Sequence, residues 1–257
     1  MPEKPLTGGA HLWITQNTGI SIPLYSMKRS QTGISALRDS VCWIWDLGTG
    51  TGVLPRNMYH YGAEWTGTDL SEMQIAQARR LSEEKGQNIR YLVSAAEDLV
   101  FPDNSFDTVT ACQCFWYFDH KRLMPRLFRM LKKEGHLLIL YMAWLPFEDP
   151  IAGESEKLVL KYSPHWSGAG ETMHPISVPD CVLDFFTPVS HEEYQLDLPF
   201  TRDSWHGRMK ACRGIGASLS QEEIAQWETE HRKLLTSIAP EEFTVRHYAA
   251  MLELTLR

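Results

Sequence analysis

The sequence predicts an α/β fold, a doubly wound and mostly parallel sheet with helices on both faces. Three observations predict it: an apolar strand that runs into a glycine cluster, a repeated alternation of strand and helix patterns, and a globular composition. The apolar run at 41–45 is continuous, which is typical of parallel strands buried on both faces, and places Trp43 and Trp45 in the core. The alternation after it indicates crossovers that put helices on both faces.

The first part of the alternation is short and regular. A helical stretch at 53–61 ends at a glycine, and a strand follows at 64–68. Ser71 opens the next helix, because Gln74 stands three residues later at the spacing of a capping box. The helix ends near Gly86.

The alternation continues through the middle of the chain. A strand at 89–93 precedes the turn at 102–104, which leads into a strand at 106–112. A helix at 120–133 carries its leucines and methionines on one face and ends at a glycine. A strand at 136–142 follows it.

The pattern changes after residue 142. The segment 143–180 is interrupted by Pro146, Pro150, Pro164 and Pro175, and is predicted to be an irregular insertion or lid. A strand at 193–198, helices at 202–212 and 221–238, and a final strand at 244–256 complete the chain.

Composition and charge exclude several classes of protein. The chain has 257 residues, 43% hydrophobic and 22% charged, so collagen-like, coiled-coil and disordered classes do not fit. A net charge of −7 argues against nucleic-acid binding. Five cysteines without a CxxC pair favour a cytoplasmic location and no metal site. We expect no membrane segment or secretory signal, and the oligomeric state stays open.

The most informative segment is the loop Asp46-Leu47-Gly48-Thr49-Gly50-Thr51-Gly52, where the first strand must turn into the first helix. Glycines there let a backbone approach a ligand closely. The dinucleotide motif GxGxxG would need glycine at position 53, which is Val53, and no GxxxxGK[ST] loop is present. The pattern therefore disfavours the two common phosphate-binding loops.

This loop resembles motif I of class I S-adenosylmethionine-dependent methyltransferases, and the resemblance spans about 25–142. Residues 66–71 resemble the end of the second strand, where the family's acid binds the ribose hydroxyls; here it is Asp69. Residues 94–107 resemble the adenine-side loop and the entry to strand four of the ubiquinone-biosynthesis-like subgroup, although Ala95 stands where many members have Asp. The resemblance implies a seven-stranded, Rossmann-like sheet with a lid or cap after strand five.

The resemblance also implies the cofactor and the residues that bind it. The cofactor is S-adenosylmethionine, which becomes S-adenosylhomocysteine on methyl transfer to a small-molecule substrate. The predicted cofactor-binding residues are Tyr25, Arg29, Asp46, Gly48, Thr49, Gly50, Gly52, Asp69, Leu70, Met73, Ala96, Glu97 and Gln113.

Substrate contacts and catalytic groups are predicted from position. The stretch 113–119 resembles that of trans-aconitate methyltransferases, with Trp116 at their His. Aromatic residues around the irregular segments are predicted to line a substrate pocket: Trp116, Tyr117, Tyr162, Trp166 and Trp205. A general base is needed only for some acceptors, and the candidates are His120, His165 and His206.

Four segments are predicted: a lid at 1–40, a cofactor-binding core at 41–145, a lid or cap at 146–220 that includes the strand near 193–198, and a C-terminal helix and strand at 221–257 that complete the core. Two other functions stay open. One is a binding module without catalysis for S-adenosylmethionine or S-adenosylhomocysteine. The other is a nicotinamide-dependent oxidoreductase, which Val53 disfavours.

Overall fold

A computed structural model describes residues 41–257. The predicted lid at 1–40, with Tyr25 and Arg29, lies outside the described residues. The strands are β1 (Trp43–Leu47), β2 (Glu64–Asp69), β3 (Arg90–Val93), β4 (Phe106–Cys112), β5 (Leu131–Trp144), β6 (Phe186–Thr201) and β7 (Glu242–Leu256). The helices are α1 (Val53–Met58), α2 (Glu72–Glu83), α3 (His120–Met130), α4 (Pro150–Tyr162), α5 (Asp180–Leu183), α6 (Arg202–Lys210), α7 (Arg213–Gly216) and α8 (Gln221–Ile238), with 3₁₀ turns at Tyr59–Tyr61 and Phe115–Tyr117.

The seven strands form one sheet in the order β3-β2-β1-β4-β5-β7-β6. Strand β1 pairs in parallel with β2 and β4, β2 with β3, and β4 with β5. The chain order reverses between β1 and β4, and such a switch point opens a crevice at the carboxyl ends of the strands. The α/β fold with a doubly wound sheet is therefore confirmed.

The described residues group into two compact units. The glycine-loop unit comprises 41–141, Pro175–Glu192 and Met251–Arg257, and the helical unit comprises Met142–His174 and Glu193–Ala250. This grouping cuts across the four predicted segments, which remain a prediction. No helix among residues 41–257 is long and apolar enough to cross a bilayer.

The predicted helix at 120–133 is too long at its end. Helix α3 stops at Met130, because Leu131 is already extended and pairs with Phe106 as the first residue of β5. Gly135 therefore lies inside a strand and does not end the helix. Tertiary pairing of this kind overrides a local helix signal.

The prediction that 143–180 is irregular is wrong for 13 of its residues, which form α4. Pro150 is at the start of this helix, where a missing N–H costs nothing, and the Asp149 carboxylate accepts a hydrogen bond from the Ala152 N–H. The proline marks a helix start rather than a break.

The first strand also begins later than predicted, at Trp43, and continues to Leu47. Trp45 is fully buried and packs against the Phe101 and Phe106 rings, as predicted. Trp43 is 46% exposed, so its assignment to the core was wrong. The strand becomes fully buried only from Ile44 onward.

Candidate functional site

Three glycines of the loop between β1 and α1 take left-handed backbone conformations, with φ of +55° at Gly48, +55° at Gly50 and +72° at Gly52. A Cβ atom at Gly48 would lie 2.8 Å from Cys114 Sγ, and one at Gly52 would overlap the Tyr91 hydroxyl. A Cβ at Gly50 would meet no atom of residues 41–257 within 4 Å. Of the three, only Gly50 has a Cβ position that the described residues leave unoccupied.

Asp69, at the end of β2, ties the loop to the next element. Its Oδ2 accepts a hydrogen bond from the Gly50 N–H at 2.9 Å, and its Oδ1 accepts one from the Ser71 N–H at 2.8 Å. The Thr49 N–H donates to the Thr68 carbonyl beside it. A carboxylate has about four lone-pair sites, so Asp69 keeps further acceptor capacity.

Asp46 is buried beneath the loop, between Gly67 and Thr110 in the strand register. It is 1% exposed, and its two oxygens accept hydrogen bonds from the Thr49 and Thr110 hydroxyls at 2.6 and 2.7 Å. Burial raises the pKa of Asp46 to about 6.

The predicted adenine side of the site is partly open. Leu70 and Met73 are 75% and 83% exposed, which leaves both side chains free to cover a flat apolar group. Ala96 is buried. The Glu97 carboxylate accepts a hydrogen bond from the Asp119 N–H at 2.8 Å and so holds the turn that precedes α3.

The family described as "Methyltransferase domain" matches residues 45–139, which include the glycine loop, Asp69 and all of β4. This segment also aligns with methyltransferases named for ubiquinone and menaquinone biosynthesis. Residues 45–139 are therefore similar to the class I methyltransferases of the UbiE-like subgroup. The resemblance inferred from the sequence is confirmed.

The relatives of this methyltransferase domain match only part of the chain. A demethylmenaquinone methyltransferase of Thermus thermophilus is 39% identical over 100 residues, 38% of this chain and 46% of that protein. The ubiquinone/menaquinone biosynthesis C-methyltransferase UbiE of Vibrio cholerae is 33% identical over 128 residues, 48% of this chain and 47% of that protein. The chain thus spans nearly half the length of these relatives.

One solved structure supports the fold over most of the chain. A proposed type II methyltransferase from Anaeromyxobacter dehalogenans superimposes with a TM-score of 0.57. It covers 90% of this chain and 95% of that one at 16% identity. At this identity the likeness supports the fold alone.

The end of β4 in the methyltransferase domain has a feature that the sequence did not reveal. Gln113 adopts φ +66°, and its N–H donates to the Leu140 carbonyl on β5. The next residue, Cys114, donates its thiol to the Leu47 carbonyl at 3.0 Å. Burial raises the pKa of Cys112 to about 12 and that of Cys114 well above its usual value, so neither is a thiolate at neutral pH.

The three candidate histidines have different surroundings. His120 is half-buried at the start of α3, with Nε2 3.0 Å from the Phe115 carbonyl. His165 is exposed. His206 is buried, and its Nδ1 is 2.9 Å from Nδ1 of His231. The His206 ring is enclosed in the helical unit, and its role as a general base stays a prediction.

The five predicted pocket aromatics fall in both units. In the methyltransferase domain Trp116 and Tyr117 are both exposed. In the helical unit the Tyr162 hydroxyl donates to Glu230 and Trp166 is half-buried. Trp205 is fully buried and donates its Nε1–H to the Ser155 hydroxyl at 3.0 Å, and its place in a substrate pocket stays a prediction.

Proposed function

We propose that this chain transfers a methyl group from S-adenosylmethionine to a small-molecule acceptor and releases S-adenosylhomocysteine. The observation that carries the proposal is the hydrogen bond from the Gly50 N–H to the Asp69 carboxylate, within the segment that matches a methyltransferase domain. A carboxylate with spare acceptor capacity lies beside a glycine whose missing Cβ leaves open space. This arrangement suits an adenosyl ribose, because one carboxylate can accept hydrogen bonds from both of its vicinal hydroxyls.

Each cofactor group has a partner in this arrangement. Asp69 would accept hydrogen bonds from the ribose hydroxyls, and the backbone of 48–52 would hold the methionine part. Leu70 and Met73, both exposed, cover the adenine ring with apolar side chains. The buried Asp46 supplies negative charge near the cofactor ammonium through Thr49, which it positions.

When bound, S-adenosylmethionine supplies an electrophilic methyl carbon on a sulfonium, and the sulfur is the leaving group of an in-line displacement. The residues of the chain align the acceptor and exclude water; they form no covalent bond to the methyl group. Because Cys112 and Cys114 are neutral thiols, neither attacks the methyl carbon. The acceptor itself is therefore the nucleophile. His120, at the start of α3, is the remaining half-buried candidate for accepting a proton.

Support for a small-molecule acceptor comes from the relatives. Their names describe demethylmenaquinone and phosphoethanolamine as methylated compounds. The net charge of −7 is also unsuited to binding nucleic acid through its phosphates. All five cysteines are free thiols, which supports a cytoplasmic location.

The test is a transfer assay with S-adenosylmethionine carrying a tritiated methyl group and a protein-free metabolite extract. We expect tritium to appear in a small molecule in equal amount to the S-adenosylhomocysteine released. Asp69→Ala should abolish both at micromolar cofactor, and Glu72→Ala, an exposed neighbour, should not. Tight cofactor binding with no transfer to any fraction would favour the binding module.

A further inference from the structure

A cavity of about 300 Å³ lies along α3 in the glycine-loop unit, separate from the glycine loop. Its apolar lining comes from Val100, Phe101 and Met130, and three arginines of α3 line the other side. The Phe101 ring is fixed because it packs edge-on against Trp45 and Phe106. The volume is at the lower end of small-molecule pockets, so it suits a compact ligand rather than a peptide.

The three arginines, Arg122, Arg126 and Arg129, stand at i, i+4 and i+7 and therefore share one face of the helix. Arg122 pairs with Asp98 at 2.7 Å, and Arg129 pairs with Asp103 at 3.1 Å. These pairs give each of the two outer guanidinium groups a carboxylate partner.

Arg126, between them, lacks such a pair. Its Nη1 is 3.4 Å from the Leu99 carbonyl, and no carboxylate of residues 41–257 lies within 4 Å of it. The side chain is half-buried, so water screens its charge less than that of an exposed arginine. Of the three guanidinium groups that line the cavity, two are paired with a carboxylate. The charge of Arg126 has no carboxylate partner among the described residues.

We propose that this cavity binds a small organic monoanion, a carboxylate attached to an aromatic body. The carboxylate would neutralise Arg126, whose planar guanidinium can donate two parallel hydrogen bonds to it. The aromatic body would pack on Val100, which is exposed, and on Phe101. The site shares no residue with the set predicted to bind the cofactor.

The test uses phenylacetate as the probe and two-dimensional amide NMR of the full chain. We expect saturable shifts at the amides of Phe101, Arg126 and Met130 at millimolar phenylacetate or below. Arg126→Gln should weaken binding by about tenfold or more, because it removes a charge-assisted bond. Arg126→Lys keeps the charge but loses the planar guanidinium group. Its affinity for phenylacetate should therefore lie between those of the unaltered chain and of Arg126→Gln.

Two control variants and two control ligands make the test specific. Lys121→Gln, an exposed lysine on the same helix that does not line the cavity, should bind phenylacetate as the unaltered chain does. Asp69→Ala should also leave it unchanged, which separates this site from the proposed cofactor site. No saturable shift, equal affinity for the neutral phenylacetamide, or equal affinity for inorganic phosphate would each overturn the proposal.

Discussion

The physical constraint that requires glycine differs among the three loop glycines, although the sequence motif does not distinguish them. Gly48 and Gly52 make room for Cys114 and Tyr91, while Gly50 leaves its space empty. The motif predicted the loop and Asp69, because both are local patterns at a strand end. It could not predict which glycine faces a ligand, since Cys114 and Tyr91 are more than 35 positions away in sequence.

Gly50→Val should therefore fold but lose cofactor binding. No atom of residues 41–257 lies within 4 Å of the new Cβ, so the main cost is the left-handed backbone, about 1–2 kcal/mol. Gly62→Val is the matched control, with φ +81° and equally open space but no place in the loop. Denaturant unfolding should show similar losses for both, and calorimetry should show lost cofactor binding for Gly50→Val alone. Undiminished binding by Gly50→Val would show that no ligand approaches there.

Asp69→Ala should weaken affinity for S-adenosylhomocysteine by more than tenfold. The substitution removes the acceptor of the ribose hydroxyls and also frees the Gly50 N–H that shapes the loop. Calorimetric titration measures the change, with Glu72→Ala as the exposed control. An unchanged dissociation constant would remove Asp69 from the site.

The pKa of Asp46 predicts a pH dependence of cofactor binding. Because burial raises this pKa to about 6, the side chain is mostly protonated below pH 6 and ionised above it. A cofactor ammonium favours the ionised form, so affinity should fall as the pH decreases from 7.5 to 5 and should level off above about 7. Asp46→Asn should bind more weakly and lose this dependence. Equal affinities of the unaltered chain at pH 5 and pH 7.5 would contradict the assignment.

At the scale of elements, the sequence predicted what is locally encoded. The Ser71 hydroxyl accepts from the Gln74 N–H, so the start of α2 agrees with the cap signal. Strand β4 has the predicted limits, and so does α8. The errors have another origin: α3 ends early because Leu131 pairs with β4, and α4 was missed because Pro150 was read as a breaker.

The helices of the helical unit enclose a polar cluster that makes this unit sensitive to acid. The His231 Nε2 is 3.1 Å from the Ser155 hydroxyl on α4, its Nδ1 meets His206 on α6, and its ring stacks on Trp227. Burial lowers the pKa of His231 to about 3, and it also lowers that of His206. Both histidines are therefore neutral in the folded unit at pH 7.

Acidification should thus destabilise the chain. The unfolded state binds protons at these histidines below pH 6.5 while the folded state does not, so stability is lost as the pH falls below 6.5. At pH 5 His231 alone accounts for about 2 kcal/mol relative to pH 7. Denaturant unfolding at both pH values measures it.

The control for this effect is a comparison of variants, because Asp46 changes stability in the opposite direction over part of the same range. His231→Phe should flatten the difference between pH 5 and pH 7, while His165→Gln, at an exposed position, should keep it. A His231→Phe variant with the same pH difference as the unaltered chain would show that the cluster is not its cause.

At the scale of the whole molecule, the sheet order and the methyltransferase domain at 45–139 agree with the sequence prediction. The acceptor does not follow from them, because one fold supports many reactions. The helical unit lies after residue 141, and no local sequence motif predicts that Ser155 contacts His231 and Trp205. These contacts join residues 50 or more positions apart, which a single sequence does not encode locally.

The most direct test of the central claim is a calorimetric titration of the full chain with S-adenosylmethionine, S-adenosylhomocysteine and NAD. The arrangement of Gly50 and Asp69 predicts micromolar binding of both adenosyl compounds and none of NAD. Binding of NAD, or no binding of either adenosyl compound, would contradict the proposed methyltransferase function.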